Sequence, residues 1–332
     1  MTNLDRPVPA RLGLDIYSLR SQSWTPLEHL DFAARHAVKV VHFSEIRLIG
    51  GLAPDHLRRI RDRADELGID LEMGMRSICP GSTIFDATAG TAAEQLTAVI
   101  EAARIVRSPI VRCVLGRFAD RHTPGGIEAR MAETVQVLKS VRSRVVDAGL
   151  RLALENHAGD MQARELKMVV EDAGPDFVGV CIDSGNALWA IEDPHLVLET
   201  LAPYVLTSHV RDGVAWNVPE GAAVTWTRMG EGSLKIDEFI RSYVRKCPGS
   251  AVSLEVIVTD EPRIMPYREP SFWEAYRSMP AWEFTRFATL ADRGSPRTRP
   301  PLRSGETAAD REREDVEASL EWTRGLLATL EA

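Results

Sequence analysis

Residues 150–183 read LRLALENHAGDMQARELKMVVEDAGPDFVGVCID and contain the structural unit that recurs along the chain. Two short apolar runs, at 150–155 and 178–183, flank a segment at 163–173 in which apolar residues recur at helical spacing. A strand, an amphipathic helix and a second strand in this order predict a βαβ unit, in which the two strands lie parallel.

The same alternation extends in both directions from this unit. Strands are expected at 12–16, 38–43, 69–73, 110–115, 150–155, 178–183, 204–209 and 251–256. Helices are expected at 55–67, 92–106, 127–148, 163–173 and 195–201, and Thr25-Pro26-Leu27-Glu28 has the pattern of a helix start. This order predicts an α/β fold with a parallel sheet. Because there are eight units, and no GxGxxG follows the first strand, a closed (β/α)8 TIM barrel is favoured over a doubly wound open sheet.

The chain has 332 residues, more than the roughly 250 typical of such a barrel. Most of the surplus lies at 257–305, which is rich in proline and aromatic residues and ends in GSPRTRPPLRSG. We predict a single TIM-barrel domain over 1–332, with a lid-like insertion at 257–305 and a final helix at 306–332. Residues 267–282 are expected to cover the C-terminal face of the barrel, where active sites of this fold lie. An oligomer contact is an equal alternative for them.

Charge and composition narrow the class of protein. Forty Lys and Arg residues against 48 Asp and Glu residues give a net charge of −8, which does not favour binding to nucleic acid or to anionic lipid. No apolar run approaches the roughly 20 residues that span a bilayer, and no signal peptide is recognisable. The four cysteines are scattered, as in a cytoplasmic protein. The expected partner is therefore a small molecule or another protein.

Four of the expected strands end on residues that bind metals. These are Glu155, Asp183, His209 and Glu255. Two positions before each stands a small residue: Ala153, Cys181, Thr207 and Ser253. Since alternate residues of a strand face opposite sides, the small residues and the four ligands are expected to face the barrel interior. Three carboxylates and an imidazole that converge require a cation, and this set suits Mn2+ first, with Mg2+, Co2+ or Zn2+ as alternatives.

The motifs that carry these ligands resemble the xylose isomerase-like TIM barrels, the sugar phosphate isomerase/epimerase family. They are LENH (154–157), CIDSGN (181–186), SHVRD (208–212) and SLE (253–255). The turn Gly230-Glu231-Gly232, which lies after the seventh expected strand, belongs to the same resemblance. The resemblance implies a divalent metal held by the four ligands. In the epimerase branch, residues at the positions of Glu155 and Glu255 also act as acid and base on opposite faces of the sugar. It thus implies an isomerase or epimerase that removes a proton next to a carbonyl of a sugar or sugar derivative, through an enediolate.

A narrower resemblance gives an alternative function. The run LENHAGD, at 154–160, is close to that of the catalytic subunits of C-glycoside deglycosidases. This resemblance implies a lyase that cleaves 3-oxo-glycosides, with His157 as general base and a small β-sandwich subunit as partner. Without that partner, a homo-oligomer is expected. A third function, DNA repair of the endonuclease IV type, is disfavoured because the chain is acidic and lacks further strand-end histidines.

Four further residues are expected to bind the carbohydrate substrate. They are Arg211, two positions after His209, together with Asn186, Glu45 and Arg76, which lie near the ends of other strands. Arg211 has an alternative structural role, an ion pair with Asp212 or another carboxylate. Arg112 is a weaker candidate of the same kind, and His42 is expected to be a core residue.

Overall fold

The computed structural model describes residues 10–331, in which short strands alternate with helices. In chain order the strands are β1 (Leu12–Asp15), β2 (Val40–Phe43), β3 (Asp70–Ser77), β4 (Ile110–Val114), β5 (Arg151–Glu155), β6 (Val178–Asp183), β7 (Val205–His209), β8 (Asp212–Val218), β9 (Gly221–Thr227), β10 (Val252–Leu254) and β11 (Arg263–Met265). All eight strands that the sequence predicts are present, as β1–β7 and β10. Residues 1–9 and 332, which the single-domain prediction includes, lie outside the described residues.

The eight predicted strands form one parallel sheet in the order β10-β1-β2-β3-β4-β5-β6-β7. The two edge strands meet at Val210, which pairs in parallel with Leu254. The Val210 N–H donates to the carbonyl of Ser253 at 2.7 Å, and the Glu255 N–H donates to the carbonyl of Val210 at 3.2 Å. These contacts bring the sheet into a nearly closed ring, and the predicted (β/α)8 barrel is confirmed.

The helices surround this ring. They are α1 (Pro26–Arg35), α2 (Ile46–Ile49), α3 (Pro54–Leu67), α4 (Ala92–Val106), α5 (Gly126–Ser140), α6 (Arg142–Ala148), α7 (Ala163–Ala173), α8 (Asn186–Trp189), α9 (Pro194–Leu201), α10 (Ile236–Lys246), α11 (Ala281–Arg293) and α12 (Ala308–Glu331). The capping box of Thr25 and Glu28 begins α1, as predicted. The single helix expected at 127–148 is wrong, because Val141 leaves the helical region with φ −104° and ψ 2° and divides it into α5 and α6.

Side chains sort between the two faces of the barrel as the strand alternation predicted. Leu154, Ile182 and Leu254 belong to the main hydrophobic core, together with apolar residues of the helices. Ala153 and Cys181 form a separate small cluster inside the barrel. The large residues therefore pack between the sheet and the helices, while small residues lie beneath the strand ends in the narrow interior.

A second sheet, which the sequence reasoning did not predict, follows β7. Strands β8 and β9 form an antiparallel hairpin, and β11 pairs with β9. Regular structure also lies between the eighth predicted strand and the final helix, where the sequence analysis assigned no strand or helix. This segment contains β11, a 3-10 turn at Pro270–Ala275 and α11. The single-domain description and the lid at 257–305 stay predictions.

Aromatic residues after β10 pack on the hairpin and form a second hydrophobic cluster. Its buried members are Leu188, Ile191, Ala215, Ala222, Val224, Leu234, Met265, Phe272, Tyr276, Phe287 and Ala291. Arg121, in the loop after β4, donates to the carbonyl of Ala275 at 2.7 Å, and its guanidinium lies 4.3 Å from the ring of Tyr276. The segment is thus fixed to the loops at the C-terminal ends of the barrel strands. Among the described helices, none is both long and apolar enough to cross a membrane.

Candidate metal centre

The four predicted metal ligands meet at the C-terminal end of the barrel. Glu155, Asp183 and His209 are the last residues of β5, β6 and β7, and Glu255 directly follows β10. Each offers one ligand atom, and these atoms all lie within 4.8 Å of one another. None of the four residues is more than 5% exposed. This arrangement has the composition and the spacing of a metal site.

The hydrogen bonding of the cluster shows that a cation fits these residues. Asp183 Oδ2 and His209 Nδ1 are buried and make no hydrogen bond of regular geometry, although each lies within ion-pair distance of a charged side chain. His209 Nδ1 lies 3.0 Å from Glu155 Oε2 and 3.2 Å from Glu255 Oε2. Buried polar atoms without partners are rare and costly. A divalent cation would satisfy them and offset the repulsion among the carboxylates.

Two buried arginines lie directly beside the carboxylates. Arg112 donates through Nε to Glu155 Oε2 at 2.5 Å. Arg211 lies with Nε 2.8 Å from Asp183 Oδ2 and also forms an ion pair with Glu255. The structural alternative for Arg211, an ion pair with Asp212 or another carboxylate, is present in its second form, because the partners are Asp183 and Glu255. Asp212 accepts backbone N–H groups instead. Arg211 thus contacts two of the predicted metal ligands.

These arginines hold the two glutamates in their ionised form. Burial alone would raise the pKa of Glu155, but the charges of Arg112 and His209 outweigh it and hold the pKa well below its usual range. At Glu255 burial is again opposed by Arg211 and His209, which lower the pKa to about 2. Carboxylates that stay ionised are suited to bind a metal.

Two asparagines fix the positions of the ligands. The Asn186 backbone N–H donates to Asp183 Oδ1 at 2.7 Å, and its side chain donates to Glu155 Oε1 at 3.2 Å. The Asn156 side chain exchanges two hydrogen bonds of 2.8 Å with the backbone of Asp183. Asn186, which the sequence predicts as a substrate-binding residue, therefore contacts two of the predicted metal ligands.

A chain of buried polar residues supports His209 from inside the barrel. His209 Nε2 lies 3.0 Å from Nδ1 of His42, which in turn lies 3.6 Å from Glu72. Asp15 lies 3.9 Å from His209 Nε2. Burial raises the pKa of Asp15 to about 6 and that of Glu72 to about 7. Sequence reasoning placed His42 in the core but missed Asp15, although Asp15 ends β1 as the ligands end their strands.

His157 is held in one orientation by its surroundings. Its Nδ1 lies 2.6 Å from the carbonyl of Gly116, so the hydrogen-bond network assigns the ring proton to Nδ1 and leaves Nε2 as an acceptor. The Asp160 carboxylate accepts the backbone N–H groups of His157 and Gly116, each at 2.9 Å, and so fixes both ends of this contact. Burial lowers the pKa of His157. Its Nε2 is therefore available as a base.

A cavity of about 220 Å³ lies against the metal centre. Its lining includes every residue that the sequence predicts for catalysis or substrate binding except Glu155: Glu45, Arg76, His157, Asn186, Arg211 and Glu255. Trp189 and Trp226 add an aromatic wall, which the sequence reasoning missed. A larger cavity of about 420 Å³ lies between β9 and the start of α12, but it contains none of the four ligands. The smaller cavity is therefore the candidate substrate site.

Comparison with known proteins agrees with this architecture. The sequence model of the xylose isomerase-like TIM barrel family matches residues 30–270. The chain belongs to this family. The match with the xylose isomerase-like barrels spans β2 to β11 and therefore includes the four residues of the metal centre.

The individual proteins that resemble this chain have low sequence identity to it. A 3-oxo-isoapionate decarboxylase from Pectobacterium atrosepticum is 26% identical over 208 residues, which cover 60% of this chain and 68% of the relative. The structure of D-psicose 3-epimerase with D-tagatose, from Clostridium cellulolyticum H10, superposes with a TM-score of 0.64 at 13% identity, over 96% of this chain and 99% of that one. The IolI protein, solved with a bound zinc atom, gives a TM-score of 0.56 at 12% identity, over 84% and 96%.

Proposed function

We propose that the chain is a divalent-metal-dependent isomerase or epimerase of a sugar or sugar derivative, which removes a proton next to a carbonyl and forms an enediolate. The observation that carries this proposal is the cluster of Glu155, Asp183, His209 and Glu255, whose ligand atoms lie within 4.8 Å of one another beside a cavity. The family and its structural neighbours, which include sugar epimerases, support an enzyme of sugar metabolism.

Each residue of the site would have a separate role in this reaction. The four ligands would hold the metal, for which Mn2+ is our first choice, and the metal would supply positive charge to the oxygens of the enediolate. Glu155 and Glu255 would transfer the proton on the two faces of the substrate. Arg211 and Asn186 would orient substrate oxygens, as would Glu45 and Arg76 at the other side of the cavity.

A specific observation favours a second candidate, a lyase acting on a 3-oxo substrate. The arginine contacts keep the pKa of Glu155 and of Glu255 low, and a carboxylate of low pKa is a weak base. His157 presents an unprotonated Nε2 at the same cavity. With His157 as general base, the chain would cleave a bond near a 3-oxo group, as in a 3-oxo-glycoside. The decarboxylase relative is likewise named for a 3-oxo compound.

The proposal includes a carbohydrate substrate and either a homo-oligomer or a complex with a small β-sandwich subunit. Co-purification of that subunit would favour the lyase. A cytoplasmic location remains a prediction; it agrees with the four cysteines, which are all buried and unbridged.

A metal-binding experiment tests the shared part of both candidates. Protein stripped with a chelator should take up one equivalent of Mn2+, Mg2+, Co2+ or Zn2+ by equilibrium dialysis. Glu255→Gln should weaken this binding at least tenfold, because the remaining set loses one anionic ligand. Glu45→Gln, a matched change at the same cavity, should leave it unchanged. If Glu255→Gln binds metal as the wild type does, the four-ligand centre is wrong.

Proton exchange then separates the two candidates. The metal-loaded protein is incubated in D2O with free ketoses and, separately, with 3-oxo-glycosides, and NMR follows both deuterium uptake and product release. An isomerase exchanges or converts the ketose, whereas a lyase releases an aglycone from the 3-oxo-glycoside. Loss of exchange in His157→Ala, with metal binding intact, assigns the base to His157. Full-rate exchange in that variant assigns it to a glutamate.

A further inference from the structure

Arg263, on β11, is a half-buried cation without a counter-charge. Its guanidinium lies between two aromatic rings, 4.3 Å from the centre of Trp189 and 4.9 Å from that of Phe118. Among residues 10–331 it has no carboxylate within ion-pair distance and no hydrogen-bond partner. The buried arginines of the metal centre differ, since each is paired with at least one carboxylate.

A second unpaired arginine, Arg117, directly precedes Phe118, whose ring centre lies 4.9 Å from the guanidinium of Arg263. The Arg117 guanidinium is exposed, donates only to the hydroxyl of Thr83 at 3.2 Å, and has no carboxylate within ion-pair distance in the described part of the chain. Burial lowers the pKa of Arg263, and the like charge of Arg117 adds to this effect against an opposing one from Tyr276. Two neighbouring unpaired cations are unexpected in a chain with 48 acidic residues and a net charge of −8. Removing a cation from water without a counter-charge is costly, so the half-buried Arg263 is suited to bind an anion, and the exposed Arg117 adds positive charge beside it.

The position of Arg263 connects it to the metal centre. The rings of Trp189 and Trp226 stack 4.3 Å apart at 12°, and the guanidinium of Arg211 lies 4.3 Å from the ring of Trp226. Both tryptophans line the candidate substrate cavity. A continuous stack therefore runs from Arg211, beside the predicted metal ligands, through Trp226 and Trp189 of the cavity wall to Arg263, which packs on the ring of Trp189.

We propose that Arg263, together with Arg117, binds an oxyanion at the end of the substrate that lies away from the metal centre. The planar guanidinium matches a carboxylate or a phosphate group through two parallel N–H donors. The substrate is then a sugar acid or a sugar phosphate, whose carbonyl lies at the metal ligands. This inference rests on the proposed function and adds the substrate class to it.

Binding of three six-carbon ketoses tests the proposal without any turnover. The metal-loaded protein is titrated by calorimetry with D-fructose, D-fructose 6-phosphate and 5-keto-D-gluconate. We expect at least one anionic probe to bind about tenfold or more tightly than D-fructose. The phosphate-ended and carboxylate-ended probes distinguish the two sources of the oxyanion. Equal binding of all three, or no binding by any, overturns the proposal.

Variants of Arg263 separate anion binding from a purely structural role. Arg263→Met keeps an apolar chain between the two rings but removes the charge, so it should abolish the preference for the anionic probe and leave the Kd of D-fructose unchanged. Arg263→Lys should restore part of the preference. Arg293→Gln removes an exposed charge from the same segment and should have no effect. Should Arg263→Met fail to fold, Arg117→Gln, at an exposed position, takes its place.

The outcomes also separate this inference from the proposed function. If Arg263→Met weakens all probes by the same factor, Arg263 only supports the aromatic wall and the inference is wrong. If the anionic preference depends on Arg263 but no probe exchanges its C–H proton in D2O, the oxyanion site stands and the proposed chemistry fails. If exchange occurs equally with neutral and anionic ketoses, the chemistry stands without the oxyanion site.

Discussion

Arg112 and Arg211 set the electrostatic character of the metal centre. Each is buried, and each contacts at least one carboxylate that the metal would also use. A metal must therefore compete with Arg211 for Asp183 and Glu255, or share them with it. Removing either arginine would leave a buried carboxylate without its nearest positive charge, which is strongly unfavourable. The two arginines thus stabilise the folded protein before any metal binds.

Glu192 carries a pH-dependence prediction that is independent of the metal centre. It is 2% exposed, and both carboxylate oxygens lie 3.0 Å from the backbone nitrogen of Ala163 at the start of α7. Burial raises its pKa to about 8; the Ala163 N–H and Arg121 oppose this shift, whereas Glu165 and Glu283 add to it. Between pH 4.5 and 8 the unfolded chain releases a proton that the folded chain retains. The contribution of Glu192 to stability is therefore full below pH 4.5 and decreases as pH rises through this window.

Glu192→Gln should remove this dependence. We expect the variant to unfold at a higher denaturant concentration than the wild type at pH 8 and at a similar one at pH 5, because glutamine has no proton to release. Chemical unfolding at both pH values measures the difference. Glu321→Gln, at an exposed position of α12, should retain the slope of the wild type. Parallel pH curves for wild type and Glu192→Gln would show that Glu192 is ionised in the folded protein.

The sequence predicted the four ligands because each of them ends a strand, and strand ends of a barrel meet on one face. It could not predict which carboxylate each arginine contacts, since Arg211 reaches Asp183 and Glu255 across neighbouring strands rather than its sequence neighbour Asp212. It also could not predict the contact of Arg263 with Trp189. These two residues are far apart in the chain, and only tertiary packing brings them together.

At the scale of elements, α11 holds the second hydrophobic cluster on the barrel. Phe287 of α11 is fully buried in that cluster, whereas Trp282 at the start of the same helix is 58% exposed. Phe287→Ala should cost about 3–5 kcal/mol of local stability, because it leaves a cavity among the aromatic rings. Hydrogen exchange should then increase over Ala281–Arg293 while the amides of β2 and β3 stay protected.

Trp282→Ala is the matched control for this change, and we expect its exchange pattern to equal that of the wild type. A uniform increase over both α11 and the barrel strands in Phe287→Ala would have a different meaning. The cluster and the barrel would then unfold as one cooperative unit, which would favour the single-domain description over 1–332.

The second sheet shows why some elements escaped sequence prediction. The barrel strands are continuous apolar runs bounded by helices, and that pattern is distinctive. Strands β8 and β9 are joined only by Pro219 and Glu220, and proline and glycine at 219–221 are typical of a loop in the sequence. In α11 the apolar residues Phe284, Phe287 and Ala291 do recur at helical spacing. Because prolines lie on both sides of this segment, the sequence analysis did not predict a helix there.

At the scale of the whole molecule, eight repeats were enough to predict a barrel, because eight parallel βα units commonly close on themselves. The barrel of this chain is closed by few backbone hydrogen bonds. Strand β10 has only three residues, and its backbone pairing toward β7 runs through Val210, the residue directly after β7. The Ser208 hydroxyl of β7 adds two hydrogen bonds, one to the carbonyl of Ala251 at 2.8 Å and one from the N–H of Ser253 at 3.1 Å. Backbone pairing is therefore sparsest at the contact between β7 and β10.

The metal centre spans this contact, since His209 precedes Val210 and Glu255 follows Leu254. A cation held by these two residues, together with Glu155 and Asp183, would join β5, β6, β7 and the end of β10.

We therefore expect metal to raise the melting temperature in a concentration-dependent way, and the free energy of unfolding to increase by about 2.7 kcal/mol at a metal concentration of 100 times the Kd. We also expect it to slow hydrogen exchange most at the amides of Val210 and Glu255, which form the contact. Calorimetry and exchange mass spectrometry, with and without chelator, measure both effects, and the β2 and β3 amides serve as the internal reference. In Asp183→Asn the gain should shrink, because the centre loses a carboxylate charge while the shape of the site is kept. If metal raises the melting temperature but protects all strands equally, it stabilises the folded state as a whole and does not act through barrel closure.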